Sequence, residues 1–187
     1  MTDPFGSPEV NAIFQKGIRE ILTGDQPGAF TYGNGVEIET IQRIAHQAVD
    51  TYGFVSACGL FLRSGCAAFK YLVRDYGKAI DIDSLEFRLQ PPRKRLMDGI
   101  RKVVGLLEHW HTASFSIRQS DDDVEIIMQS NLAVDAQGTN QIWLHFLAGL
   151  IQELLYWAGG GKQYPFQILP IDADSDVIIQ FRLLPVD

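Results

Sequence analysis

Gln141–Lys162, QIWLHFLAGLIQELLYWAGGGK, is the stretch on which the reading of the whole chain turns. Helical rotation of about 100° per residue puts Gln141, His145, Gly149, Gln152 and Tyr156 on one narrow strip. Almost every other direction is apolar, from Ile142, Trp143 and Leu144 through Phe146, Leu147 and Leu150 to Leu155 and Trp157. A helix apolar nearly all round belongs in an interior. A length of about twenty residues would also cross a bilayer. However, His145, Glu153 and the polar chain on either side favour a core helix, stopped by Gly159–Gly161.

Outward from this helix the period of the pattern changes. Before it, Ala113, Phe115 and Ile117 alternate with Ser114, Ser116 and Arg118, and the acidic turn Asp121–Asp123 leads into Val124–Gln129. A period of two on both sides of a turn is a β-hairpin. After the helix, Tyr164–Ile171, a turn at Asp172–Asp176 and Val177–Leu184 give a second hairpin. Further upstream the period is helical. Ile38, Ile41, Ala45, Ala48 and Tyr52 mark one amphipathic helix, and Cys58, Phe61, Gly65, Phe69, Leu72 and Tyr76 a second over roughly 54–76. Gly59 and Gly65 cost helix propensity, which points to a neighbour approaching closely at both. Asp81–Gln90 reads as a turn or a short strand. Pro91 and Pro92 open a further helix with the stripe Leu96, Ile100, Val103, Leu107 and Trp110. A first helix is expected over 8–22, with Val10, Ile13, Phe14, Ile18 and Ile21 on one side. The order implies an α+β fold, a helical layer packed on a four-stranded antiparallel sheet made of two hairpins separated by a long core helix. Residues 1–8 are expected to be a flexible arm, and 9–187 a single ligand-binding-like domain.

Composition excludes some functions. A net charge of −7 over 187 residues argues against nucleic acid as a partner, since phosphate neutralisation needs a basic face. No basic and apolar leader opens the chain, so no signal peptide is expected. Cys58 and Cys66, if on one helix, stand about 12 Å apart, too far to bridge. Both points favour a cytoplasmic protein. Arg93, Lys94, Arg95, Arg101 and Lys102 read as a solvated helix face. A peripheral contact with an anionic membrane is the weaker reading of that run.

Few residues carry recognisable chemistry. Gly159–Lys162 follows a helix and lacks a Ser or Thr after the lysine, so it is a helix end and not a phosphate loop. Asp172, Asp174 and Asp176 lack the glycine and glutamate that a calcium loop requires. His109 and His111 flank Trp110 without a partner at metal-ligand spacing. Neither a metal nor a cofactor is expected. His145, on an otherwise apolar helix, must face either a cavity or an edge.

Three stretches carry a family resemblance. These are His145-Phe-Leu-Ala-Gly149, Gln129-Ser-Asn-Leu-Ala133, and Ile171-Asp-Ala-Asp-Ser-Asp-Val-Ile-Ile179-Gln-Phe181. The last lies on a Cys-x-Ala-x-Gly-Asp-x-x-Cys-x-Phe pattern, with Ile171 and Ile179 replacing both cysteines. On these residues the chain resembles the 4-vinyl-reductase-like ("hydrocarbon-binding") domain family, which shares the fold of TRAPP vesicle-tethering complex subunits. The resemblance implies an apolar ligand channel and a homodimer formed through helices. It also implies loss of any thiolate-dependent metal or redox site.

The function expected from residues and resemblance together is a non-enzymatic module with an apolar pocket for a hydrophobic small molecule, whether acyl chain, hydrocarbon or tetrapyrrole. Aromatic and small residues on helices that should face each other make Phe61, Cys66, Phe69, Trp110, Trp143, His145 and Phe146 the candidate lining. An enzyme or accessory factor of chlorophyll-type tetrapyrrole metabolism is the first alternative, and a structural dimerisation or scaffold subunit the second.

Overall fold

The computed structural model describes residues 7–22, 38–109, 114–129, 139–169 and 177–186. Among these the elements are α1 (Ser7–Leu22), α2 (Ile38–Tyr52), α3 (Phe54–Tyr76), α4 (Leu85–Leu89), α5 (Pro92–His109), β1 (Ser114–Gln119), β2 (Asp123–Gln129), α6 (Thr139–Ala158), β3 (Phe166–Leu169) and β4 (Val177–Arg182). The fold is α+β, and its four strands form one antiparallel sheet in the order β1-β2-β4-β3. Contacts divide the chain into two compact units, Met1–Leu72 with Val134–Leu150, and Val73–Ala133 with Ile151–Asp187.

In the first unit, backbone meets backbone where α3 and α6 cross. A Cβ on Gly65 would overlap the carbonyl oxygen of Phe146, and one on Gly149 would overlap that of Leu62. The two glycines therefore let each helix settle against the other at a separation no side chain tolerates. The thiol of Cys66 donates to the Gly149 carbonyl at 3.3 Å, an extra tie at the same crossing. Small side chains continue the theme along α3. Ala57, Ser64 and Ala68 are buried, and the Ser64 hydroxyl donates back to the Leu60 carbonyl at 2.8 Å. Gly59 differs from expectation. A Cβ there meets nothing within 4 Å, so no neighbour required this glycine.

In the second unit the sheet is organised by one row of isoleucines. Ile117 pairs with Ile126, Ile126 with Ile179, and Ile179 with Ile168, so the row crosses all four strands. Val124, Met128 and Phe181 extend the same face and are buried. On the other face runs a polar row, in which Arg118 donates to Glu125 at 3.1 Å and Gln167 to Gln180. Alternation is clear along β1, whereas Ile127 and Ile178 place apolar side chains on the polar face of β2 and β4.

Asp81–Gln90, expected as a turn or short strand, contains the short helix α4. Ser84 caps it by accepting from the Phe87 backbone N–H at 3.1 Å. Phe87, 1% exposed, anchors it by stacking on Trp157 at 6.0 Å between ring centroids. Tertiary burial of one aromatic residue, which no local pattern displays, decided the element. At the end of α6 the chain stops as expected. Gly159 and Gly161 donate back to Leu155 and Tyr156, and Gly160 and Gly161 take φ values of +74° and +83°.

Replacing Gly149 by Ala forces the α3 and α6 backbones apart. It should destabilise the protein by about 3 kcal/mol or more in urea unfolding. Gly105, on α5, faces open space, so Gly105→Ala should stabilise by roughly 0.5–1 kcal/mol through helix propensity alone. Equal effects of the two substitutions would show that the crossing is not a tight one.

Candidate functional site

Three aromatic rings gather in the first unit. Trp143 and Phe146, three residues apart on α6, stack at 5.0 Å with 9° between their planes. Phe14 of α1 sets its edge against both at 5.3 Å. Spacings and angles of this kind suit aromatic quadrupoles. Sequence reasoning placed Phe14 on the apolar side of α1 but not at a site. The α1 stripe Ile13, Phe14, Ile18 was the available signal, and it shows burial without showing which rings meet.

The other described candidate residues lie on α3 and α6. Phe61 and Phe69 are buried on α3, and Cys66 is half-buried there with its thiol on Gly149. His145 is half-buried on α6, and its Nδ1 lies 2.7 Å from the Gln141 carbonyl. The structure thus brings Trp143 and Phe146 together and sets Cys66 on the α6 backbone. Trp110 and His111 lie outside the described residues, as do Asp172, Asp174 and Asp176. The polar strip of α6 has more than one fate. Gln141 and Tyr156 are exposed, whereas Gly149 is buried against α3.

Electrostatics in the second unit are mainly structural. Arg93 donates to the Ser120 and Asp121 carbonyls of the β1–β2 turn, and Arg95 to the Ala158 carbonyl at 2.6 Å, where α6 ends. Arg101 reaches Gln119 at 3.4 Å. Lys102 donates to the carbonyl of Asp81 at 2.8 Å and its carboxylate at 3.0 Å, holding a residue whose φ is +56°. Arg93, Lys94 and Arg101 are exposed, in keeping with a solvated face, while Arg93, Arg95 and Lys102 also tie carbonyls and a turn. Other groups are perturbed by burial, Tyr164 among them, whose hydroxyl is pushed up by desolvation. Desolvation raises the Cys58 thiol, keeping it protonated, and raises the Glu153 carboxyl. Among the described residues no group of three or more His, Cys, Asp or Glu side chains could hold a metal ion. No helix there is long and apolar enough to cross a membrane.

The fold is similar to that of the H-NOX domains among solved structures. The chain superposes on the Fe(II) unliganded H-NOX protein from K. algicida with a TM-score of 0.58 at 11% identity, covering 97% of each chain. It does so on an oxygen-binding H-NOX domain related to soluble guanylate cyclases with a TM-score of 0.57 at 12% identity, again covering 97% of each. A structure described under modulation of haem redox potential by porphyrin distortion gives 0.57 at 12% identity, over 95% of this chain and 99% of that one. At these identities the likeness establishes the fold. The chain matches no protein-family model and no curated protein sequence.

These matches overturn the resemblance to 4-vinyl-reductase-like domains and TRAPP subunits, because the like folds are H-NOX domains. The misleading residues have plain structural reasons. Gly149 of the His-Phe-x-x-Gly stretch serves a tight helix crossing, which many folds require. Ile179, read as a replaced cysteine, holds a central place in the isoleucine row, and Phe181 lies on the same sheet face. Burial imposes such residues without any common ancestry. Ile171 and Ser175 lie outside the described residues.

Haem iron takes a protein ligand from His, Cys, Met or Tyr, and neither cysteine suits that role. The Cys66 thiol is committed to Gly149 and the Cys58 thiol is kept protonated by burial. His145 keeps Nε2 available, but one turn further along its strip Gly149 is closed against the α3 backbone.

Glu153 supplies a pH test. Its folded-state carboxyl is raised above the ordinary 4.5, so folding disfavours the ionised form. The stability it costs is absent below pH 4.5 and grows as pH rises through the raised value. Glu153→Gln should therefore raise the Tm at pH 7, with the gain vanishing in acid. A gain that persists unchanged in acid would contradict this assignment.

Proposed function

We propose that this chain is a non-enzymatic small-molecule-binding domain whose ligand is a tetrapyrrole or a molecule of similar size and apolarity. The observation that carries this reading is the fold, followed over nearly the whole chain by solved proteins whose descriptions name haem, Fe(II) and bound oxygen. Of the three ligand classes drawn from the sequence, the tetrapyrrole gains from that likeness, while acyl chain and hydrocarbon do not. The aromatic and small residues of the helical layer support it, since ligand pockets are mostly apolar with a few placed polar groups.

Phe61, Cys66, Phe69, Trp143, His145 and Phe146 remain the proposed lining, with Trp110 as the further candidate and His145 as the polar edge. The proposal keeps 9–187 as one binding domain. Because neither cysteine suits an axial role and His145 lies beside the closed α3 crossing, the proposed mode of binding rests on apolar and aromatic contact instead of a bond to iron. Homodimerisation, expected from the overturned resemblance, gains nothing from the H-NOX likeness, and light scattering would decide it.

The reading is tested by titrating the purified chain with iron-free protoporphyrin IX and with haemin. Both should bind with affinities within about threefold, a difference under 1 kcal/mol, and Trp143→Leu should weaken both. No saturable change in the porphyrin absorption band for either compound would overturn it. Much tighter haemin binding would replace it with an iron-ligand mode.

A further inference from the structure

A concavity separate from the aromatic cluster opens in the first unit. Ser56, Gly59, Leu60 and Arg63 recur at three- and four-residue spacing and therefore share one face of α3. That face is turned away from Gly65 and the α6 crossing. Gly53, with φ +80°, turns the chain abruptly between α2 and α3, so Tyr52 is left beside the start of the same face. Ile21 and Leu22, at the end of α1, close the other side. The groove bounded by these residues has a volume of about 390 Å³, within the usual size of a small-molecule site.

Its chemistry is asymmetric. Ile21, Leu22 and Leu60 are apolar lining, while Tyr52, Ser56 and Arg63 are the lining residues that carry polar groups. Arg63 is exposed, and among the described residues it has no carboxylate partner. This contrasts with Arg93, Arg95 and Lys102 of α5, which are held by carbonyls or carboxylates. Gly59 leaves open space where any other residue would place a side chain. In a helix interior that glycine costs roughly 1 kcal/mol relative to Ala, and no neighbouring backbone demands it. The space it preserves is the groove itself.

We propose that this groove is a binding site for a small organic carboxylate with a compact apolar body. The body fills the space over Gly59 against Ile21, Leu22 and Leu60. The carboxylate meets Arg63 in a charge-assisted pair, with the Ser56 and Tyr52 hydroxyls donating beside it. The site uses none of the residues proposed to line the tetrapyrrole pocket, so each can fail without the other.

Calorimetric titration with ibuprofen, a branched aryl carboxylate, and with its neutral amide tests the proposal. Saturable binding of ibuprofen is expected, with the amide and the Arg63→Gln variant each weaker by about tenfold. Gly59→Leu should abolish binding while leaving urea stability at or above that of the unaltered chain, and Trp143→Leu should leave binding intact. Absence of saturable binding would overturn the proposal. So would binding that Gly59→Leu leaves unchanged, or equal affinity for acid and amide.

Discussion

Contact between the backbones of α3 and α6 is the constraint on which the first unit depends. Two glycines face two carbonyl oxygens, Gly65 toward Phe146 and Gly149 toward Leu62. Because the contact is backbone on backbone, it has no rotamer through which to relax. The large side chains on either side must then fit around a fixed crossing. Trp143 and Phe146 lie flat on one another because they share the α6 face beside it, and Phe14 of α1 fills the remaining edge. Cys66 is explained by the same constraint, as a small side chain that can still satisfy the Gly149 carbonyl.

The second unit solves a different problem, that of closing ends. Helix termini leave carbonyls without partners, and α5 answers with arginines. Arg95 takes the last carbonyl of α6, and Arg93 holds the turn between β1 and β2. A run of positive charge in an acidic protein invites a search for an anionic partner. Here the partners are peptide dipoles a few residues or a whole element away in the same unit. Arginine suits this use because its planar fork reaches two acceptors at once, as Arg95 does with Ala158 and Arg88.

Two errors of sequence reasoning share a cause. The family resemblance treated Gly149, Ile179 and Phe181 as marks of descent, although each is required by local packing. Gly59 and Gly65 were read alike, as close-approach glycines, although only Gly65 meets a backbone. In each case one letter has two physical explanations, and the difference lies in what stands opposite it. Part of the candidate site was legible for the opposite reason. Trp143 and Phe146 sit three apart on a helix that must be buried, so their meeting follows from helical geometry. Phe14 comes from a distant segment, and no spacing links it to them. The groove at Gly59 was illegible too, because three helix ends assemble it.

The sequence by itself determined the α+β class, the two hairpins and the long apolar helix with its glycine stop. Those features follow from periods of two and 3.6 and from glycine's access to positive φ, which are properties of the chain within a few residues. Only the tertiary structure decided that α4 is a helix, that the α5 cations close carbonyls, that Gly65 and Gly149 interlock, and that the architecture is H-NOX-like. Each of these depends on atoms brought together from segments far apart in sequence. Burial and close approach are properties of such pairs, and no single stretch of chain carries them.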